Sequence, residues 1–221
     1  VRLEERSYSS KVRRPRPLVF EDPAGDFILI VTIWGATDRG AEILEHVKSH
    51  LQTVRQDSEL TTPFQNILTL SDEANDLRVA TLLLNDFVFR GVNREKYEIV
   101  VETCFLTIKK RQVAWSQFGC PHLFLRKKRL GLQPISSFPE SRNDLQGCPI
   151  PNSFLGTEPT ISPRCGDLYL EKGDELILLS SSTVSSLIWS PHQELDLVNL
   201  TESIAATDES QAFWLGRIKI D

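Results

Sequence analysis

The stretch Gly173-Asp174-Glu175-Leu176-Ile177-Leu178-Leu179-Ser180-Ser181-Ser182 constrains this chain more than any other. A Gly-Asp turn feeds four consecutive apolar residues. A strand with one wet face would alternate, so this one reads as buried on both faces. It then breaks into hydroxyl side chains, and a buried strand that ends in small polar residues delivers them to a site.

A second run, Phe27-Ile28-Leu29-Ile30-Val31-Thr32-Ile33, is rich in β-branched residues and follows the turn at 22–26, so it too reads as a buried strand. The glycine-containing loop Trp34–Gly40 leads from it into a helix starting near Ala41. Ile43, Leu44, Val47, Leu51 and Val54 recur on one face of that helix. Residues 55–72 are polar and read as a loop. Across 73–90, Leu77, Val79, Ala80, Leu82, Leu83, Leu84, Phe87 and Val88 predict a helix apolar almost all round, which has to be sandwiched inside the fold.

Strands are predicted over 97–108, 112–118 and 123–125. Lys109–Arg111 and Gly119–Pro121 read as hairpin turns, so the three strands form a meander. Residues 131–166 are proline-rich and aperiodic, an irregular flap or insertion. Helical patterns follow over 183–190 and 193–205, and the alternation from Phe213 to Ile220 closes the chain with a strand. Residues 1–17 are charged and broken by Pro15 and Pro17, an extended arm or irregular first strand. Helices bunched between groups of antiparallel strands predict an α+β fold: two stacked antiparallel sheets flanked by helices, in one domain spanning 1–221.

With 221 residues, 40% of them hydrophobic, the chain can bury a sizeable core. Its net charge of -5 supplies no general cationic field for nucleic acid, so no such partner is expected. Two basic runs stand against that charge, Lys11 to Arg16 and Arg126-Lys127-Lys128-Arg129. The default for such runs is a solvated loop, and the second is the candidate partner surface. Cys104, Cys120, Cys148 and Cys165 are widely spaced with no CxxC pair, which predicts thiols in a reducing, cytoplasmic compartment. No run approaches the ~20 apolar residues of a membrane span, so no membrane partner is expected. No signal-peptide pattern opens the chain, and a first residue of Val fits an excised domain.

Catalytic motifs are sparse. His46 and His50 lie four apart on the first helix, but no third ligand accompanies them and a solvated helix face is the expected reading. His122 and His192 are single histidines, structural by default. Ser180 to Ser186 offers hydroxyls without nucleophile-elbow glycines. Cys120, two residues before His122, is the best placed thiol. There is no phosphate-binding glycine loop of either common type.

Taken together, five segments resemble the protein phosphatase 2C family of metal-dependent Ser/Thr phosphatases. Val12-Arg13 is similar to the family's "VR..NED" region, and Leu29–Gly40 with the following helix to its strand, "DGMGG" loop and "GE" helix. Gln117 to Leu125 resembles "NVGDSRAYL", Gly173 to Ser182 resembles "GDxLLLxSDG", and Asp208 to Ile220 resembles the terminal "DNxTVVVV" strand. The resemblance implies a double β-sandwich holding two metal ions between aspartates at strand ends. Those positions have diverged here. The acidic position of "NED" falls near Leu18, and the "DG" aspartate at Ile33 or Trp34. The hairpin aspartate becomes Cys120, the "SDG" pair becomes Ser181-Ser182, and the last aspartate falls near Asp208.

Magnesium and manganese need oxygen ligands, normally carboxylates, and the family's nucleophile is a metal-activated water. The resemblance therefore implies a pseudophosphatase without cofactor, binding another protein as a regulatory or scaffolding module. The alternative is a divergent phosphoprotein phosphatase with a reduced Mg or Mn site using Asp38, Asp174 or Asp208. An apolar Ile33 and Trp34 at the old metal position predicts a closed, packed pocket.

Overall fold

The computed structural model describes residues 2–10, 14–24, 27–56, 63–127, 131–136, 153–181, 196–207, 209 and 211–220. Ten strands are found among them: β1 (Leu3–Tyr8), β2 (Leu18–Glu21), β3 (Phe27–Gly35), β4 (Ile99–Lys109), β5 (Gln112–Phe118), β6 (His122–Lys127), β7 (Gly131–Ser136), β8 (Arg164–Tyr169), β9 (Glu175–Ser180) and β10 (Phe213–Lys219). The helices are α1 (Gly40–Gln56), α2 (Asp72–Asp86) and α3 (Leu197–Thr207), with a 3-10 turn at Thr37–Arg39 and a π-helical turn at Phe87–Val92. The strands form two antiparallel five-stranded sheets, ordered β1-β10-β9-β6-β7 and β2-β3-β4-β5-β8. By its contacts the chain divides into two compact units, Val1–Pro17 with Gly119–Asn152 and Leu170–Asp221, and Leu18–Phe118 with Ser153–Tyr169.

In the second unit, the odd-numbered residues of β3 and β4 (Phe27, Leu29, Val31, Ile33, Val101, Phe105) form one core with Ile43, Val47 and Leu51 of α1 and Leu77, Ala80 and Leu84 of α2. Period-2 alternation on the strands meets period-3.6 spacing on the helices, and both stripes are buried together. Ser71 caps α2, its hydroxyl accepting from the Ala74 N–H at 3.2 Å, while Asp72 and Glu73 complement the helix N-terminus. As its composition predicts, α2 is buried around most of its circumference, Val79, Thr81, Leu82 and Asn85 included.

In the first unit, α3 lays Leu197, Leu200 and Ile204 on Phe124, Ile177, Leu179, Phe213 and Leu215. The described part of the 173–182 stretch, residues 173–181, carries β9 through the middle of this sheet, between β10 and β6, with Leu176 to Ser180 buried. Asp174 shapes the turn before it, its carboxylate accepting the Glu171 N–H at 2.9 Å.

Several expectations are corrected. The three middle strands are not a meander: β4 and β5 form the hairpin at 109–112, but β6 pairs with β9 and β7 in the other sheet. Pro121 has no N–H to continue a ladder, so Gly119–Pro121 is a crossover and not a hairpin turn. The stretch 131–166 is not wholly irregular. Its first residues form β7 and its last enter β8, while Leu155 makes an antiparallel bridge to Val101. Residues 137–152 lie outside the described residues, as does the predicted helix at 183–190. Residues 3–8 are a regular strand in unbroken register with β10. Its charge is accommodated there, with Glu4 on Arg217 and Glu5 accepting from the Trp214 indole at 2.8 Å.

Candidate functional site

The positions set by resemblance against metal-binding aspartates fall in both units, each taken on its own terms. In the second unit Ile33 is 4% exposed and belongs to the core beneath α1 and α2. Leu18, on the neighbouring strand β2, lies over Gly40 at the start of α1, where a Cβ would meet Leu18 Cδ1 at 2.5 Å and Ile33 Cδ1 at 3.5 Å. Apolar side chains thus close around that helix start.

Trp34 is half-buried. It meets Phe154 edge-on at 6.3 Å between centroids and donates its indole N–H to Glu102 Oε2 at 2.9 Å. Glu102, 0% exposed in the middle of β4, is the residue that sequence reading missed. Its signal was a single carboxylate inside the apolar run 99–108. Asp38 sits exposed on the 3-10 turn, away from any acidic cluster among the described residues.

In the first unit the crossover brings Cys120, His122 and Ser181 together. Cys120 Sγ lies 3.8 Å from His122 Nε2 and donates to the Ser181 carbonyl at 3.6 Å. The Nε of Arg14, placed by sequence in a solvated arm, instead donates to Ser180 Oγ at 3.2 Å. Burial is the main cause pushing the His122 imidazole down to about 4, and the Arg14 charge adds to it. The pair is therefore neutral imidazole beside a buried sulfur. His122 Nδ1 has no hydrogen-bond partner among the described residues.

The first-helix histidines are not on a solvated face. His46 stacks on Phe87 at 4.3 Å, His50 is half-buried, and burial lowers both below the usual imidazole range. In the basic run, Arg126 is ion-paired with Glu175, whereas Lys127 has no ion pair among the described residues. Ser182, Lys128, Arg129 and Asp208 lie outside the described residues.

Leu18, Ile33 and Trp34 offer no oxygen ligand, and Cys120 and Ser181 offer no carboxylate. Asp174 is committed to its turn. Among the described residues no group of three or more His, Cys, Asp or Glu side chains is placed to hold a metal ion. The described donors do not fit a pair of hard divalent cations.

No family model and no curated protein matches the sequence. Solved structures do match the fold. PppA, a key regulatory component of T6SS in Pseudomonas aeruginosa, aligns with a TM-score of 0.65 at 13% identity over 98% of this chain and 96% of that one. The catalytic domain of the serine/threonine phosphatase PstP, in complex with 2 manganese ions, aligns at 0.63 and 14% identity over 100% and 98%. MsPP, a PPM Ser-Thr phosphatase from Mycobacterium smegmatis in complex with cacodylate, aligns at 0.66 and 13% identity over 100% and 99%. At such identities the likeness is one of fold, and function has to be argued from the site. Over nearly its whole length, this chain has the fold of the PPM-type, protein phosphatase 2C-like Ser/Thr phosphatases.

Proposed function

We propose that this chain is a catalytically silent phosphatase-like domain, a pseudophosphatase, serving as a protein-binding regulatory or scaffolding module in the cytoplasm. One observation carries the reading: Leu18, Ile33, Trp34, Cys120 and Ser181 stand where the resemblance sets metal-binding acids, and none has a carboxylate. Without anionic oxygen ligands the hard cations lose most of their binding energy, and with them goes the activated water. Ile33 is built into a core, and Trp34 is held by a hydrogen bond and an aromatic contact. The likeness in fold to PppA, a regulatory component by its own description, agrees with a regulatory role.

Calorimetric titration with MnCl2 and MgCl2, beside turnover of an aryl phosphate, tests the reading. The expected result is no saturable metal binding and no turnover above buffer. Metal-dependent turnover abolished by Asp38→Ala would overturn it.

A further inference from the structure

The π-helical turn Phe87–Val92 and the turn after it border an open surface cavity of about 580 Å³. Its walls are the rings of Phe89 and Tyr97, the cations Arg90, Arg94 and Lys96, and Asn93. This volume lies in the range of ordinary ligand pockets. The cavity falls outside the diverged metal positions and is unused by the function proposed above.

Its floor is rigid. The Asn93 backbone N–H closes the π turn on the Val88 carbonyl at 2.8 Å. The Asn93 side chain, 7% exposed, donates to the carbonyls of Ile99 (2.7 Å) and Gly156 (2.9 Å) and accepts from the N–H groups of Glu98 (3.0 Å) and Ile99 (3.2 Å). One buried amide thus fixes both ends of the 93–98 turn. A turn fixed in advance spares the ordering entropy that binding would otherwise cost. π turns are rare and concentrate at functional sites.

Its rim is charged and apolar at once. Arg90 is held by Asp86 at 2.8 Å, but Arg94 and Lys96 make no ion pair among the described residues. Glu95 is the one acid that lines the cavity. Tyr97 is 65% exposed, leaving most of its ring open to a ligand. Arg94 and Lys96, without an ion pair among the described residues, lie beside this exposed ring, and the cavity lining carries three cations against one acid on a chain of net charge -5. Such a lining attracts acidic groups, and the rings give a hydrophobic side chain a place to sit.

We propose that this cavity is a docking site for an acidic peptide segment of a partner protein. A hydrophobic residue of the segment lies between Phe89 and Tyr97, and flanking carboxylates meet Arg94 and Lys96. The assignment stands whether or not the domain is catalytically silent.

The probe is a fluorescein-labelled decapeptide with a central Phe-Leu pair flanked by Asp and Glu, titrated with the whole chain at low salt and followed by anisotropy. The wild type is expected to bind, and the R94E/K96E variant to bind about tenfold or more weakly. Tyr97→Ala is expected to weaken binding about fivefold. The charge-matched K110E/R111E variant, altered at the exposed β4–β5 turn, is expected to stay within about twofold of wild type. Circular dichroism confirms that each variant is folded. Equal loss in both double variants, tighter binding of a Lys/Arg-flanked control peptide, or preference for ATP over the peptide would each overturn the proposal. Metal-dependent phosphatase turnover would sink the silent-domain reading alone.

Discussion

The indole N–H of Trp34 reaches diagonally across β3 and β4 to the carboxylate of Glu102, at 2.9 Å. Trp34 faces Val100 and Glu102 faces Thr32 in the strand register, so the two are offset by two residues on one face of the sheet. Glu102 has no exposed surface, which makes each donor to it valuable. Trp34→Phe keeps an aromatic ring and removes that donor, so it is expected to lower stability by about 1–3 kcal/mol. Urea denaturation of W34F, E102Q and the double variant is expected to return a coupling energy of about 1–2 kcal/mol. A coupling of zero would mean that the contact contributes nothing.

His122 sets a pH dependence. Its folded value is pushed from 6.5 to about 4, chiefly by burial. Above pH 6.5 it is neutral in both states and contributes no slope. Between 6.5 and about 4 the unfolded chain takes up a proton that the folded one refuses, so stability falls as pH falls, by up to about 3 kcal/mol in all. Below about 4 this loss levels off. His122→Gln is expected to reduce the slope in that part of a stability–pH curve, leaving what His46, His50 and the carboxylates contribute.

Two glycines with positive φ separate backbone strain from crowding. At Gly173, φ is +87° and nothing lies within 4 Å of an added Cβ, so Gly173→Ala is expected to cost only the strain, about 1–2 kcal/mol. At Gly35, φ is +103° and a Cβ would sit 2.2 Å from the Glu98 carbonyl oxygen, a backbone atom that cannot step aside. Gly35→Ala is expected to cost at least about 3 kcal/mol. Thermal denaturation of the pair reports the difference.

Asn93 is the joint between β4 and the 153–158 segment. Asn93→Ala removes four hydrogen bonds to backbone groups, three of them buried, and is expected to cost about 2–4 kcal/mol. Asn93→Asp keeps the acceptor but turns an oxygen toward the Ile99 and Gly156 carbonyls. It is expected to be the worse of the two at pH 7 and to recover as the pH is lowered. Native-state hydrogen exchange checks this at the Glu98 and Ile99 amides, which should exchange faster in both.

Local pattern carried much of the fold. Phe27–Ile33, α2 and 173–180 are legible because unbroken apolar runs and helical spacing speak for themselves. The partnership of strands is another matter. Within residues 112–127 only Pro121 hints that β5 and β6 belong to different sheets; the pairing itself is made by β9, about fifty residues further on. The same holds for the candidate site. Ile33 and Trp34 are visibly not ligands, but that Trp34 would be anchored by Glu102, or Arg14 by Ser180, depends on contacts 68 and 166 residues apart in sequence. The cavity that Asn93 lines was equally hidden, because Arg94-Glu95-Lys96-Tyr97 reads as an ordinary polar turn until the hydrogen bonds of Asn93 are seen.

The pairing of β1 with β10 sets a timetable for synthesis. Leu3 to Tyr8 lie against Ile218 to Phe213, and β10 is the one strand β1 contacts in its sheet. On the ribosome β1 emerges long before β10, so it must wait unpaired until some two hundred further residues exist. Joining it then closes a very long loop, a step of high contact order. The β3–β4–β5 ladder, by contrast, is complete in sequence by Phe118 and can form early. During that wait Glu4, Glu5 and Arg6 keep β1 charged, a poor template for neighbouring chains. Pulse-labelled hydrogen exchange during refolding is expected to protect Phe105 well before Leu3.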